Sequence, residues 1–390
     1  MKITFVHGSS LLIFRGSEKW LIEVCSQLKT DGFDPSIAYF PDQLHKYVKT
    51  EDDLGRRLSI LGNTLPEIHR RELRFVSLRL SFKNRLANFV NRNLEFVPLG
   101  AGIFQVFHRC NRVYIMSVRT NAARLLMLLF LATLSGTRRV IVGVHVNLAL
   151  PPYYLALLVL YVKLRVLGAV HCVNLNEAED LRARLRCPVL YIPNGVECSK
   201  FCPGTKNKEF TILFVGALTK TKGADLLPEI YSILKRDHEE IVMHLVIATP
   251  GGELGSYLGN WSKKERSVEY KGFVTEDELA SLYRESTVVL LPSRKEPFGL
   301  VALEAQASGT PVIVSGASGF RQTVLDEETG FIVADYSPSA FANMIARVYD
   351  EWSKSRTEYY QMCDKAREHV LRNFSWPIVM QQLERLFTQE

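Results

Sequence analysis

Residues 286–319, STVVLLPSRKEPFGLVALEAQASGTPVIVSGASG, change periodicity three times, and no other stretch constrains the fold as much. The apolar, β-branched run at 286–291 reads as a buried strand. Pro292 and Ser293 end it, and a charged turn follows. Glu296-Pro297-Phe298-Gly299 is not helix interior, because proline lacks an N–H and glycine costs about 1 kcal/mol there. From Leu300 the spacing becomes helical: Leu300, Leu303, Glu304 and Ala307 recur at three- and four-residue steps until Gly309 stops the helix. Pro311-Val312-Ile313-Val314 supplies the next strand. Strand, tight loop, helix, strand is the unit of a doubly wound α/β sheet, in which ligands bind at the carboxyl ends of strands.

Two carboxylates, Glu296 and Glu304, flank the turn. A continuous helix would hold them roughly 12 Å apart, at about 1.5 Å per residue. The intervening proline and glycine instead put Glu296 in the loop and Glu304 in the helix, so both can face one ligand from different heights. The backbone N–H groups of Phe298, Gly299 and Leu300 are the donors of a helix N-terminus, which with the positive end of the dipole suits phosphate. Carboxylates on either side suit neutral hydroxyls. Diphosphate together with a polyol describes a nucleotide sugar. An ordinary surface glutamate and helix glutamate would give the same pair, so the pair alone does not decide.

The whole string does more. In PS-x-x-E-x-F-G-L, in LEA-x-A-x-G-TPV and in the later Thr329-Gly330-Phe331-Ile332-Val333, it closely resembles the E-x7-E signature of the GT4 glycosyltransferases. That resemblance implies the α/β GT-B fold, two Rossmann-like domains facing across a cleft, with a C-terminal helix crossing back to the first. It further implies a retaining transfer from a nucleotide sugar (UDP-, GDP- or ADP-linked) to a hydroxyl of a glycan or lipid-linked acceptor. No cofactor or metal is expected, since a lysine and a helix terminus would carry the phosphate charge.

At 390 residues the chain should form two domains. Apolar content of 47% and charged content of 23% fit a globular α/β protein. Seven scattered cysteines give no disulfide framework, which points to a reducing compartment, and Cys198 and Cys202 lack a second Cys/His pair for a metal. Met1 leads straight into the strand KITFVHG, leaving no room for a signal peptide, so a cytoplasmic location is expected. The apolar run at 125–134 is shorter than the about 20 residues of a membrane span. That at 140–162 is broken by His145, Asn147 and Pro151-Pro152, and both read as core.

The first domain is assigned to residues 1–196, the acceptor side, with 375–390 packing back on it. It opens with a strand at 3–6, a glycine-containing loop, a helix at 17–28 carrying Trp20, Leu21, Val24, Cys25 and Leu28 on one face, and a strand at 35–40. No G-x-G-x-x-G is present, which disfavours a dinucleotide cofactor. By the resemblance Gly16 lets the backbone approach donor phosphates, although a plain turn glycine would look the same. His145 ends the run VIVGVHVN; its position resembles the GT4 histidine that borders the transferred sugar, while a structural histidine is the alternative. The segment 170–201 also resembles the family, through the turn Pro193-Asn194-Gly195, with Leu175 where the family usually has serine.

Residues 56–92 hold nine Lys/Arg against two acids, an excess equal to the net charge of +7 of the whole chain. Within them Leu78, Phe82, Leu86 and Phe89 recur at helical spacing, with Arg79, Lys83 and Arg85 off that stripe. Such a basic amphipathic helix suits peripheral binding to an anionic membrane, an acceptor carrying phosphate, or a solvated face of its own domain. Nucleic acid is disfavoured, because no zinc-finger spacing or RNA-recognition signature accompanies the charge.

Residues 197–209 read as a linker, and 210–374 as the nucleotide-sugar domain. It restarts with a strand at 210–216 and the loop ALTKTKGADLL. The family pattern there is G-R-L-x-x-x-K-G, with Arg and Lys both on the diphosphate. Lys222-Gly223 matches, but Ala217 stands at the arginine position. Losing a charged hydrogen bond costs roughly 1.5–3 kcal/mol unless Lys220 or another charge replaces it. With the resemblance, Glu296 and His145 are the candidate catalytic residues, and Gly16, Lys222, Phe298, Gly299, Leu300 and Glu304 the candidate donor-binding set. Two rival readings remain: a glycosidase, which does not explain the phosphate-type terminus, and a non-catalytic glycosyltransferase-like subunit, motivated by Ala217. A GT-B epimerase has no independent support.

Overall fold

Short β-branched runs alternating with amphipathic segments call for parallel strands joined by crossovers, and the computed structural model has that arrangement twice. It describes residues 1–7, 16–39, 69–72, 75–76, 97–98, 111–117, 129–130, 132–133, 140–145, 159, 161–162, 166–238, 241, 243–248, 252–317 and 319–388. The chain divides into two units, Met1–Pro193 with Met380–Glu390, and Asn194–Val379.

The first unit is built on a seven-stranded sheet in the order β3-β2-β1-β6-β7-β8-β9. Its strands are β1 (Lys2–His7), β2 (Asp34–Tyr39), β3 (His69–Glu72), β6 (Arg112–Ser117), β7 (Val140–Val144), β8 (Leu167–Cys172) and β9 (Val189–Tyr191). A short antiparallel pair, β4 (Phe75–Val76) and β5 (Val97–Pro98), lies apart from it. Every pairing within the seven strands is parallel. Helix α1 (Gly16–Thr30) begins a residue before the sequence boundary and buries the anticipated face, Trp20, Leu21, Val24, Cys25 and Leu28. Helix α2 (Leu175–Arg184) is capped by Asn174, whose side chain accepts from the Glu177 N–H at 3.2 Å. Leu175 thus sits at the first helical position, where the serine-to-leucine departure removes no cap.

The second unit carries a six-stranded parallel sheet, β12-β11-β10-β13-β14-β15. Its strands are β10 (Phe210–Val215), β11 (Met243–Ala248), β12 (Val268–Gly272), β13 (Val288–Leu291), β14 (Val312–Ser315) and β15 (Gly330–Val333). Between them run α3 (Leu227–Asp237), α4 (Gly255–Ser262), α5 (Glu276–Glu285) and α6 (Leu300–Ala307), followed by α7 (Pro338–Lys354), α8 (Arg356–Asn373) and α9 (Trp376–Thr388). Strands β10, β13 and β14 are nearly continuous apolar runs because helices cover both faces. Phe210, Phe214, Leu290, Ile313, Phe331 and Phe341 meet in the core. Thr275 starts α5 with a capping box: its hydroxyl accepts from Glu278 N–H at 3.3 Å, and the Glu278 carboxylate accepts from Thr275 N–H at 2.6 Å.

Residues 194–209 lie on this second unit. Arg367 donates to the carbonyls of Phe201 at 2.6 Å and Cys198 at 3.0 Å, and the Phe201 ring meets Tyr283 edge-on at 5.8 Å. At the far end, α9 starts in the second unit and its residues from Met380 onward belong to the first. The basic amphipathic pattern at 78–89 and most of residues 41–110 lie outside the described residues. Among the described residues, no helix is long and apolar enough to cross a membrane.

Candidate functional site

In the second sheet the strand order reverses between β10 and β13, so their crossovers leave in opposite directions and open a crevice at the strands' carboxyl ends. Two loops meet there. The one after β10 passes through Ala217 and a 3-10 turn, Lys220–Lys222, which Thr219 caps by accepting from Lys222 N–H at 3.3 Å. The one after β13 carries Glu296 and runs into α6.

The loops are tied together. Lys222 Nζ donates to Glu296 Oε2 at 2.7 Å, with Glu296 only 12% exposed. Arg294 donates through both guanidinium nitrogens to Asp225 at 2.7 and 2.9 Å, also reaches the Lys220 carbonyl, and lies over the Tyr336 ring at 4.9 Å. The Asp225 carboxylate raises the affinity of that guanidinium for its proton further still. Gly223 adopts φ +72°, and a Cβ there would lie 1.8 Å from the Pro292 carbonyl oxygen, so only glycine lets the loops approach this closely.

Helix α6 has Gly299 as its N-cap, with φ +101° and no side-chain cap; Ala302 N–H donates to the Gly299 carbonyl at 2.9 Å, and the N–H groups before it are left to be satisfied from outside the helix. Phe298 is buried, its ring against Phe374 at 6.2 Å, and anchors the turn. Glu304 falls in the second turn of α6, where Tyr283 of α5 donates to its Oε2 at 3.1 Å. Burial, with the Glu304 charge beside it, pushes the Tyr283 hydroxyl well above the ordinary phenol range, so it remains a donor. A cation, a helix N-terminus and two carboxylates thus stand at one crevice. An ammonium has three donors and Glu296 takes one, so Lys222 can hold an anion and the carboxylate together.

Gly16 and His145 belong to the first unit. Gly16 opens α1 after the β1 loop, at the reversal of strand order between β1 and β6, and His145 follows β7 directly. His145 Nε2 lies 2.8 Å from the Tyr114 hydroxyl, which is 2.6 Å from His171 Nδ1, while His171 Nε2 lies 2.8 Å from the Ile192 carbonyl. Burial holds the His171 pKa down near 4 and pushes Tyr114 well up, so both are neutral at ordinary pH. Trp20 packs on His145 with ring centroids 4.4 Å apart. Among the described residues no cluster of His, Cys, Asp or Glu has the makings of a metal site.

Tyr114, His171, Asp225 and Arg294 were not singled out from the sequence. A faint signal exists for the histidines: GVH and AVHC sit at the ends of adjacent runs, and pairing sets Gly143 opposite His171. The Arg294–Asp225 clamp has no sequence signature, because its partners are 69 residues apart.

Comparison with known proteins agrees with this architecture. A Rickettsia africae glycosyltransferase superposes with a TM-score of 0.73 at 20% identity, covering 100% of this chain and 98% of that one. Anabaena HepE, crystallised in complex with UDP, gives 0.74 at 18% identity and covers 100% of both. The chain is therefore a two-unit α/β protein of the GT-B fold. Residues 198–368 match the family model for glycosyl transferases group 1. An uncharacterised glycosyltransferase of Methanocaldococcus jannaschii is 33% identical over 188 residues, covering 47% of this chain and 46% of the relative. A D-inositol 3-phosphate glycosyltransferase of Corynebacterium glutamicum is 32% identical over 182 residues, covering 45% and 42%. The chain thus spans about half the length of the curated relatives it matches.

Proposed function

We propose that the chain is a retaining, metal-independent glycosyltransferase of the GT4 kind, moving a sugar from a nucleotide-sugar donor to a hydroxyl acceptor. The observation that carries this reading is the 2.7 Å contact of Lys222 with Glu296 at the point where strand order reverses, beside the uncapped start of α6. Lys222 and the amides of Phe298, Gly299 and Leu300 bind the diphosphate and take up its charge as the glycosidic bond breaks. Glu304, steadied by Tyr283, binds the ribose hydroxyls. Glu296 binds the sugar ring, and His145 contacts the transferred sugar. The acceptor oxygen attacks the face from which the diphosphate leaves.

The UDP bound by Anabaena HepE makes UDP-sugars the first donors to try. The acceptor named for the corynebacterial relative is a phosphorylated polyol, in keeping with the basic stretch at 56–92. A thermal-shift screen of UDP-, GDP- and ADP-sugars tests donor binding, since a ligand of the native state raises apparent stability. The reading requires that one class stabilise the protein and that Glu304→Ala weaken that nucleotide about 10-fold or more, for one to two charge-assisted hydrogen bonds lost. Unchanged nucleotide affinity in Glu304→Ala sinks it. A second reading, a donor-binding subunit without turnover, is favoured by Ala217, which supplies no charge to the diphosphate. Donor binding without transfer to any hydroxyl acceptor would select it.

A further inference from the structure

We propose that Tyr114 and His171 are positioning residues for the transfer reaction, acting through His145 by fixing which imidazole nitrogen carries its proton. The proposal rests on the transferase reading above for the reaction it serves, but its geometry stands alone. The Ile192 carbonyl oxygen can only accept, so His171 Nε2, 2.8 Å away, must donate to it. His171 is fully buried and neutral, so its proton sits on Nε2 and its Nδ1 carries a lone pair. The Tyr114 hydroxyl, 2.6 Å from that Nδ1, therefore gives its one proton there. Having no second proton, the Tyr114 oxygen can only accept from His145 Nε2 at 2.8 Å. Three hydrogen bonds run in one direction, from His145 through Tyr114 and His171 to the Ile192 carbonyl. The chain of donors leaves a neutral His145 with its lone pair on Nδ1, and that nitrogen gives a proton only when the ring is charged.

The surroundings are shaped to this relay. Tyr114, Gly143, His145 and His171 come from the neighbouring strands β6, β7 and β8 or the residue that ends them. A Cβ at Gly143 would lie 1.9 Å from the Tyr114 hydroxyl oxygen, so the strand centre is hollowed to admit it. Trp20 covers all three rings, with centroids 4.4, 5.6 and 5.8 Å from those of His145, Tyr114 and His171. Three polar side chains buried under an indole are costly to desolvate, and apolar residues of like size would fill the space without that cost. Their complete mutual pairing gives one tautomer and one ring orientation for the histidine at the strand end, a specificity that packing alone does not give.

Long-range 1H–15N correlation of the full-length, 15N-labelled protein reads the tautomer directly. The wild type should show His145 protonated at Nε2, and Tyr114→Phe, which keeps the ring and removes the hydroxyl, should move His145 toward a mixture. In a transfer assay Tyr114→Phe should lower kcat about 10-fold or more, on the scale seen when partners that orient metal-ligating histidines are removed, while UDP affinity stays within about twofold because the diphosphate site is untouched. His171→Asn places an amide oxygen near the site of Nδ1 and should retain both tautomer and kcat; His171→Leu should lose both. Wild-type His145 protonated at Nδ1, or a Tyr114→Phe enzyme with unchanged tautomer and kcat, overturns the proposal. If no wild-type transfer is found with any donor, the transferase reading fails, while a tautomer shift in Tyr114→Phe still upholds the relay.

Discussion

Gly223 shows how much of the site hangs on one backbone conformation. Its φ of +72° and the 1.8 Å approach of a Cβ to the Pro292 carbonyl mean that Gly223→Ala must both strain the backbone and push the two loops apart. The expected loss is about 2 kcal/mol or more, from left-handed strain of roughly 1–2 kcal/mol plus the clash. A urea titration should show a lower midpoint, and nucleotide affinity should fall because Lys222 is the adjacent residue. His171 makes a second prediction at this scale. Its pKa is held near 4 in the fold against 6.5 ordinarily, so the unfolded chain binds the extra proton between those values. Stability therefore rises with pH across that window and falls on acidification, by on the order of 3 kcal/mol at about 1.4 kcal/mol per pH unit. Burial lowers the pKa of His369 in the same sense. Melting temperatures from pH 7 to pH 4.5 should thus fall more steeply in the wild type than in His171→Asn, and equal slopes would refute this. Lys222, Glu296 and Glu304 were legible because their spacing survives in one dimension. Tyr114 and His171 were not, because periodicity marks both only as inward strand positions, and what joins them is a register between strands.

At the scale of elements, strand–loop–helix units were readable wherever apolar spacing switched between two and 3.6 residues, as at β13 and α6. The turn Glu296–Gly299 was readable because Pro297 and Gly299 exclude helix there. How the loops lock was not, since Arg294 meets Asp225 only once β10 and β13 are neighbours. That clamp bears on Ala217. Arg294 stands on the neighbouring loop, but its guanidinium is committed to Asp225 and the Lys220 carbonyl. It holds the Lys222 loop in place and leaves Ala217 uncompensated from that direction. Ala217→Arg should accordingly tighten binding of the nucleoside diphosphate about 10-fold or more, for a charged hydrogen bond worth roughly 1.5–3 kcal/mol. Isothermal calorimetry with UDP checks this; an affinity unmoved by the new guanidinium would mean that the β10 loop does not face the diphosphate.

For the whole molecule, the last helix matters out of proportion to its length. Helix α9 begins at Trp376, against Gly195 in the second unit, yet residues from Met380 onward complete the core of the first. Phe387 is fully buried there, meeting the rings of Phe5 at 5.8 Å and Tyr114 at 6.0 Å, and its carbonyl accepts from Arg112 Nε at 3.0 Å. The first sheet is thus closed by the segment from Met380 onward, and the same ring that seals it touches the relay behind His145. Truncating that ring in Phe387→Ala should cost about 3–5 kcal/mol, the range for a phenylalanine removed from a packed core. The loss belongs to the first unit, because none of these contacts involves the second. Calorimetry should show the transition of the first unit falling while nucleotide still stabilises the second, which holds Lys222, Glu304 and the start of α6. A variant that melts as the wild type does would mean that Phe387 does not pack on β1 and β6, and a variant that loses nucleotide stabilisation along with its first transition would mean that the two units do not bind and unfold separately.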